Sequence, residues 1–225
     1  MAKEKVKRYK KIVYSLRWSP EIEVCFPKKV DIEELYERYK NFLKGWTVTH
    51  DSSIIPQGLE FKPKDSNHLY YNKESFSQVQ DIISIIKGNK GYINNSCGGH
   101  IHIDMHIFNE KEIYKIIMEI ISRQKYICQD FKVNNIRLNN QCKYITKNDI
   151  KGFKINHIKL LRDECATITD NVPVLQDKYY IVNLKNLQEY NSLEFRFFQP
   201  TLSISELKRR VKFLFEFIIR SLERE

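Results

Sequence analysis

Apolar residues along this 225-residue chain recur with two different periods, and the two periods alternate from segment to segment. A period of two is typical of strands, whereas a period of 3.6 is typical of amphipathic helices. The first period predicts strands at 12–16, 21–26, 46–50, 58–62, 99–105, 179–186 and 192–199. The second predicts helices at 31–45, at 74–88, from Asn109 onward and from Ser203 to about 223. Segment 129–176 fits neither period clearly. Within this segment we expect a helix near 148–165 and a lid that excludes water from an active site. Strands separated by helices, with several short strand-to-strand connections, predict an α+β fold with a largely antiparallel sheet.

The charge is unevenly placed. The chain has 38 Lys and Arg against 28 Asp and Glu, a net charge of +10, and residues 1–11 hold six of the basic side chains against one Glu. We therefore expect a basic, flexible tail at 1–11 and a single domain at 12–225. The tail is consistent with a solvated terminus or with a tether to nucleic acid or an anionic membrane, and the remaining excess would suit an anionic small ligand.

Several classes of protein are excluded or disfavoured. No segment approaches the roughly 18 apolar residues that a membrane helix needs, and the first residues lack the apolar core of a signal peptide. The five cysteines are scattered and form no C-x-x-C motif, which argues against a zinc ribbon or a thioredoxin-like site. We expect a cytoplasmic protein with reduced thiols.

Charged side chains occupy alternate positions on two predicted strands. Glu21 and Glu23 share one face of the strand that contains P-E-I-E-V, because strand side chains alternate. Glu194 and Arg196 share a face in S-L-E-F-R-F-F. Each pair alone is consistent with a solvated strand face or a surface ion pair.

The segment S-C-G-G-H-I-H-I-D-M-H is more informative. It predicts a strand with four polar side chains on one face, namely His100, His102, Asp104 and His106. Together with Glu21, Glu23, Glu60 and Glu194, the histidine His100 gives an oxygen-rich ligand set that favours Mg²⁺ or Mn²⁺ over zinc. Magnesium usually acts with substrate phosphates, so a nucleotide is implied, although the chain has neither a G-x-x-x-x-G-K-[ST] nor a G-x-G-x-x-G motif.

Six segments, in this order, resemble the putative amidoligase family, and the resemblance runs from about residue 18 to residue 220. They are P-E-I-E, D-S-S followed by G-L-E-F, S-C-G-G-H-I-H-I, R-L-N-N-Q-C, V-N-L and S-L-E-F-R-F-F. The family is similar to glutamine synthetase and glutamate–cysteine ligase. One departure is Gly99, which stands where the family usually has an apolar residue.

The resemblance implies a curved antiparallel sheet backed by helices, with ATP and Mg²⁺ on its concave face. The implied reaction joins an amino-acid or peptide carboxylate to an amine through an acyl phosphate, with release of ADP and phosphate. The implied metal ligands are Glu21, Glu23, Glu60, His100 and Glu194. His102 and Arg196 match positions that face ATP phosphates. Arg137 resembles an arginine that binds a phosphate or a substrate carboxylate. Asn183 and Asp51 match recurrent family positions, and we assign Asn183 to cofactor binding. Asp51 and Asp104 are candidates for the general base.

Two alternative functions stay open at the level of sequence. One is a metal-dependent hydrolase or nuclease that uses the 100–106 segment and needs no nucleotide. The other is a non-catalytic nucleic-acid-binding protein with aromatic residues interleaved among lysines, whose binding would depend steeply on salt and survive the loss of Glu21 or Glu194.

Overall fold

The computed structural model describes residues 11, 14–64, 69–151, 153 and 172–224. The chain divides into two compact units. The N-terminal unit comprises Arg17–Ile101 and Phe198–Phe213, and the C-terminal unit comprises His102–Phe197 with Met1–Leu16 and Leu214–Glu225. The N-terminal unit is therefore built from two segments that lie far apart in the sequence.

The N-terminal unit carries an antiparallel arrangement of strands. Its elements are β1 (Arg17–Cys25), α1 (Ile32–Phe42), β2 (Trp46–His50), β3 (Gly58–Pro63), β4 (Leu69–Tyr70), α2 (Lys73–Gly88) and the first half of β5 (Gly99–Asp104). The strands follow the open order β2-β3-β1-β5, and β4 pairs with β1. Three of these pairs, β1–β3, β2–β3 and β1–β4, are antiparallel. The β1–β3 register sets Glu23 opposite Glu60.

Local signals in the sequence define both helices of this unit. Asp31 caps α1 by accepting hydrogen bonds from the Glu33 and Glu34 amides, both at 3.0 Å. Asn72 caps α2 by accepting from the Ser75 amide at 2.8 Å. The apolar face of α2 is buried in the core, where Phe76 packs on Trp18 of β1 with ring centroids 5.0 Å apart. These caps and this packing fix the helices beside the strands that carry the site.

The C-terminal unit combines one long helix with two short strands. Its elements are the second half of β5, α3 (Glu110–Asp130), α4 (Asn135–Asn140), α5 (Pro173–Gln176), β6 (Val182–Asn183), α6 (Asn186–Glu189) and β7 (Ser192–Phe195). Helix α7 (Ile204–Glu223) begins in the N-terminal unit and ends in this one. The strand order is β5-β7-β6, and β6 pairs with β7 in the antiparallel direction. The predicted capping box at the start of α3 is present.

The structure agrees with most of the predicted elements and corrects several. The α+β class and the mostly antiparallel strands are confirmed, and the curvature of the sheet stays a prediction. Residues 14–16 form no strand; β1 begins at Arg17. Residues 148–151 form a turn rather than the start of a helix, and most of the predicted helix at 148–165 lies outside the described residues, as does the tail up to residue 10.

Among the described helices, none has both the length and the apolar composition needed to cross a bilayer.

Helix α7 begins with an ion-paired carboxylate whose contribution to stability is testable. Hydrogen bonds from Arg209, followed by those from Arg210, lower the pKa of Glu206 from 4.5 to about 2. A lowered carboxyl pKa stabilises the fold above the ordinary pKa, and this stabilisation is lost as the pH falls from about 4.5 to about 2. We expect Glu206→Gln to reduce the free energy of unfolding by about 1–3 kcal/mol at pH 7, and the deficit to shrink as the pH falls through that window.

Urea unfolding of the wild-type protein and the variant over a pH series measures this deficit. Glu216→Gln is the matched control, since Glu216 makes an exposed ion pair with Arg220 on the same helix at 3.4 Å and is expected to cost under about 1 kcal/mol. A deficit for Glu206→Gln that does not change with pH would contradict this assignment.

Candidate functional site

Five predicted site residues meet in the N-terminal unit, and we call this group the acidic cluster: Glu21, Glu23, Asp51, Glu60 and His100. They come from β1, from β3, from the loop that follows β2, and from β5. The antiparallel register brings Glu23 and Glu60 side by side across β1 and β3. One ligand atom from each of Glu21, Glu23 and His100 lies within 4.8 Å of the others, and the same holds for Glu23, Asp51 and Glu60.

The imidazole of His100 lies between the two β1 carboxylates. Its Nδ1 is 2.9 Å from Glu21 Oε2 and 3.4 Å from Glu23 Oε1. The side chains are well buried, with exposed fractions of 6% for His100, 7% for Glu23 and 13% for Glu21. Carboxylates buried this closely repel each other unless positive charge lies among them. The group therefore needs a cation, a protonated neighbour or both.

Glu60 experiences this repulsion directly. Burial, and then the neighbouring Glu21 carboxylate, raise the pKa of Glu60, while Lys62 acts in the opposite direction. The Lys62 Nζ lies 2.9 Å from Glu60 Oε1 and 3.9 Å from Glu21 Oε1. Lys62 follows Glu60 by two positions on β3, so both side chains leave the strand on the same face.

Asp51 belongs to the acidic cluster and also forms hydrogen bonds within the loop that follows β2. Its Oδ1 accepts hydrogen bonds from the amide and the hydroxyl of Ser53, at 2.8 and 2.6 Å. These hydrogen bonds fix the turn at the start of the D-S-S segment. The place of Asp51 beside Glu23 and Glu60 allows it to serve as a metal ligand, and its role as a general base stays a prediction.

Two glycines give the acidic cluster the space it occupies. The Gly98 amide donates a hydrogen bond to Glu23 Oε2, and a Cβ at position 98 would lie 2.4 Å from His100 Nε2 and 2.8 Å from Glu23 Oε1. A Cβ on Gly99 would lie 2.2 Å from the backbone oxygen of Gln199. This close approach of the backbone accounts for glycine at position 99, where the resembling family usually has an apolar residue.

A small cavity of about 20 Å³ adjoins the acidic cluster inside the N-terminal unit, which is room for about one water molecule or ion. Glu21, Glu23 and His100 line it together with Arg210 of α7. Arg210 is buried, donates to the Gln199 carbonyl and pairs with Glu206 Oε1 at 2.8 Å. Arg210 was not predicted from the sequence. Its spacing of four residues from Glu206 predicts the ion pair between them, but it does not predict that Arg210 lines the cavity beside the acidic cluster.

Two buried thiols, Cys25 and Cys97, lie next to the acidic cluster. Cys25 Sγ and Cys97 Sγ are 3.5 Å apart, in a small core cluster with Ile54. Burial raises the pKa of Cys97 to about 12, so the thiol stays protonated at neutral pH. Among the described residues, Cys25, Cys97, Cys128 and Cys142 form no disulfide, and Cys165 lies outside the described residues.

The remaining predicted site residues lie in the C-terminal unit around Glu194, and we call them the Glu194 network: His102, Asn183, Asn186, Glu194, Arg196 and Arg137. Glu194 Oε2 accepts hydrogen bonds from Asn183 Nδ2 at 2.7 Å and from Asn186 Nδ2 at 2.9 Å. Its Oε1 pairs with the Arg196 guanidinium. Asn183 lies opposite Glu194 in the β6–β7 register. Glu194 is only 3% exposed, so this is a buried ion pair and not the surface pair that the sequence left open.

The two predicted arginines and His102 are tied into the same network. Arg137 donates through NH2 to the Arg196 carbonyl at 3.0 Å, and Arg196 lies over the Tyr179 ring, 5.9 Å from its centroid. The Arg196 Nε is buried without a hydrogen-bond partner among the described residues. His102 Nδ1 lies 3.3 Å from Ser192 Oγ and 3.4 Å from Asn186 Nδ2.

The structure corrects the role expected of Asp104 and His106. Strand β5 ends at Asp104, so His106 does not continue the polar strand face that the sequence predicted. The Asp104 carboxylate accepts from the His106 amide at 3.0 Å and lies 2.5 Å from His106 Nδ1. Because Asp104 is 1% exposed and both of its oxygens are engaged, it is a poor candidate for a general base.

Comparison with known proteins gives one match. A family model described as a putative amidoligase enzyme matches residues 13–218. The chain belongs to this amidoligase family. No curated protein and no solved structure matches it. For this amidoligase-family chain, the match covers β1 through most of α7, so both the acidic cluster and the Glu194 network lie inside the matched region.

Besides Arg210, two polar residues around these groups were not predicted from the sequence. Lys62 was missed although its spacing from Glu60 is the same signal that pointed to Glu21 and Glu23. Asn186 was missed because it lies just beyond β6, on α6, where the alternation of a strand no longer applies. Its contact with Glu194 depends on the turn that leads from β6 to β7.

Proposed function

We propose that this chain is an ATP-dependent carboxylate–amine ligase. In the proposed reaction, ATP phosphorylates a carboxylate, an amine attacks the acyl phosphate, and an amide, ADP and phosphate are released. The observation that carries the proposal is the acidic cluster, in which the ligand atoms of Glu21, Glu23 and His100 lie within 4.8 Å. A chain of the amidoligase family that buries such a group has the means to hold the divalent cation that ATP requires.

The donor set of the acidic cluster fits Mg²⁺ or Mn²⁺. Four carboxylates and one imidazole offer mostly oxygen ligands, which hard cations prefer, and no cysteine joins either of the two ligand groups among the described residues. Burial, and then the nearby Glu21 carboxylate, raise the pKa of Glu60, so a bound cation would favour its charged form. A divalent cation bound here would neutralise phosphate oxygens and reduce the repulsion between the two anionic reactants.

The other residues of the chain have roles in this proposal that follow from their charge. Arg196 and Arg137 supply positive charge for phosphate or carboxylate oxygens, and His102 and Asn183 supply further hydrogen-bonding groups. Asn183 and Asn186 hold the Glu194 carboxylate in one orientation. A carboxylate fixed in this way is suited to bind a metal ion or to orient the Arg196 guanidinium.

ADP release tests the proposed function. The purified protein is incubated with ATP, MgCl₂ and pools of amino acids, small peptides and amines, and the products are identified by mass spectrometry. We expect ADP release that requires both a carboxylate donor and an amine acceptor, stops when EDTA removes the metal, and is restored by Mg²⁺ or Mn²⁺.

Other results would favour the alternative functions. Metal-dependent hydrolysis that proceeds without ATP would support a hydrolase or nuclease. Salt-dependent binding to nucleic acid that survives Glu21→Ala, with no ADP release from any pool, would support a non-catalytic binding protein.

A further inference from the structure

Lys62 is the one lysine that the structure describes in contact with the acidic cluster. Its ammonium group is within ion-pairing distance of two carboxylates, 2.9 Å from Glu60 Oε1 and 3.9 Å from Glu21 Oε1. These two carboxylates belong to different ligand groups, since Glu21 lies with Glu23 and His100, and Glu60 lies with Glu23 and Asp51. The ammonium therefore contacts both groups of candidate metal ligands.

The position of Lys62 allows it to move. Its backbone is held in β3, where it pairs with Thr47 of β2, but its side chain is 37% exposed, against 14% for Glu60 and 13% for Glu21. A lysine stem of four methylene groups can turn its ammonium group into solvent without a change in the strand. The carboxylates, by contrast, are confined by their burial.

We propose that Lys62 is an internal counter-ion that competes with the divalent cation for the acidic cluster and so sets its metal affinity. The inference rests on the proposed metal-binding role of this cluster. Without a bound metal, the ammonium lies between the Glu21 and Glu60 carboxylates and offsets the repulsion between them. When a metal binds, the ammonium leaves the carboxylate oxygens for solvent. Metal binding therefore has to overcome the existing ion pairs and the repulsion between two like charges.

Removal of the ammonium has two opposite effects under this proposal. Lys62→Met keeps most of the apolar stem but leaves the carboxylates without their counter-ion, so the metal-free protein is expected to be less stable. The same change removes the competitor, so we expect Mn²⁺ to bind at least tenfold more tightly. Lys62→Arg keeps the charge and is expected to bind Mn²⁺ within about threefold of the wild-type affinity.

Mn²⁺ titration of the full chain, followed by electron paramagnetic resonance and by calorimetry, measures this affinity without any substrate. Thermal unfolding with and without Mn²⁺ gives a second measure, and the metal-induced rise in Tm should be larger in Lys62→Met than in the wild-type protein. Lys40→Met is the matched control, because Lys40 pairs with Glu37 at 3.5 Å on the exposed face of α1, and it should leave Mn²⁺ affinity unchanged.

The outcomes separate the role of Lys62 from the role of the acidic cluster. If the wild-type protein binds Mn²⁺ and Lys62→Met binds it with unchanged or weaker affinity, the proposal that Lys62 competes with the cation is overturned. The acidic cluster would remain a metal site in that case. If neither the wild-type protein nor Lys62→Met binds Mn²⁺, both the metal site and the proposed function are overturned.

Discussion

Glu23→Gln is expected to reduce Mg²⁺-dependent ADP release by at least about 100-fold. Glu23 belongs to both ligand groups of the acidic cluster, so its charge bears on every cation position that these groups can form. Loss of a residue that merely orients a metal ligand costs about 10–100-fold, and a direct ligand should cost more. Glutamine keeps the shape of the side chain and an acceptor for the Gly98 amide, so the fold should persist. ADP release at saturating ATP measures the effect, and His100→Ala is expected to behave in the same way.

The control for Glu23→Gln is a glutamate that lies outside the acidic cluster. Glu74 in the first turn of α2 is exposed, and Glu74→Gln should leave ADP release within about twofold of wild type. Near-normal ADP release by a folded Glu23→Gln protein would contradict the proposed role of the acidic cluster in the reaction. Circular dichroism and urea unfolding establish that each variant is folded before its activity is compared.

Loss of either partner of the Glu194–Arg196 pair is expected to cost about 3–5 kcal/mol of unfolding free energy. Both side chains are buried, so a single substitution leaves an uncompensated charge away from water. The double variant Glu194→Gln with Arg196→Met should lose much less than the sum of the two single losses, because neither charge remains. Urea unfolding of the four proteins gives a coupling free energy, which we expect to exceed about 1.5 kcal/mol.

An exposed ion pair serves as the reference for this cycle. Glu216 and Arg220 lie on α7 with exposed fractions of 40% and 65%, and their coupling should stay below about 0.5 kcal/mol. Additive losses at Glu194 and Arg196 would mean that the pair is not coupled in the folded protein. A stability loss in Glu194→Gln also means that its activity has to be measured on the folded fraction.

Periodicity and local caps predicted the parts of this molecule that neighbouring residues determine. Strand alternation placed Glu21 and Glu23 on one face, and the Asn109 capping box set the start of α3. The i, i+2 rule also placed His100 and His102 on one face of β5. Spacing within a strand carries no information about the boundary between the two units, which falls between Ile101 and His102.

Contacts that depend on register or on distant segments could not be read from the sequence. The pairing of Glu23 with Glu60 follows from the β1–β3 register, which is set by the turn and the buried faces of both strands. Gly99 is required because the Gln199 backbone approaches it, and the two residues are far apart in the chain. Every member of the Glu194 network except Asn186 was named from the sequence, but the burial of the network depends on packing that periodicity does not describe.

The discontinuous N-terminal unit has a consequence for synthesis on the ribosome. The strands that carry Glu21, Glu23, Glu60 and His100 are translated early, but the segment that supplies Gln199 and Arg210 is translated about a hundred residues later. Until Phe213 has emerged, the nascent unit lacks the Gln199 backbone that packs against Gly99 and the Arg210 side chain that lines the cavity beside the acidic cluster. We expect this unit to reach its final packing only after the segment Phe198–Phe213 has been translated.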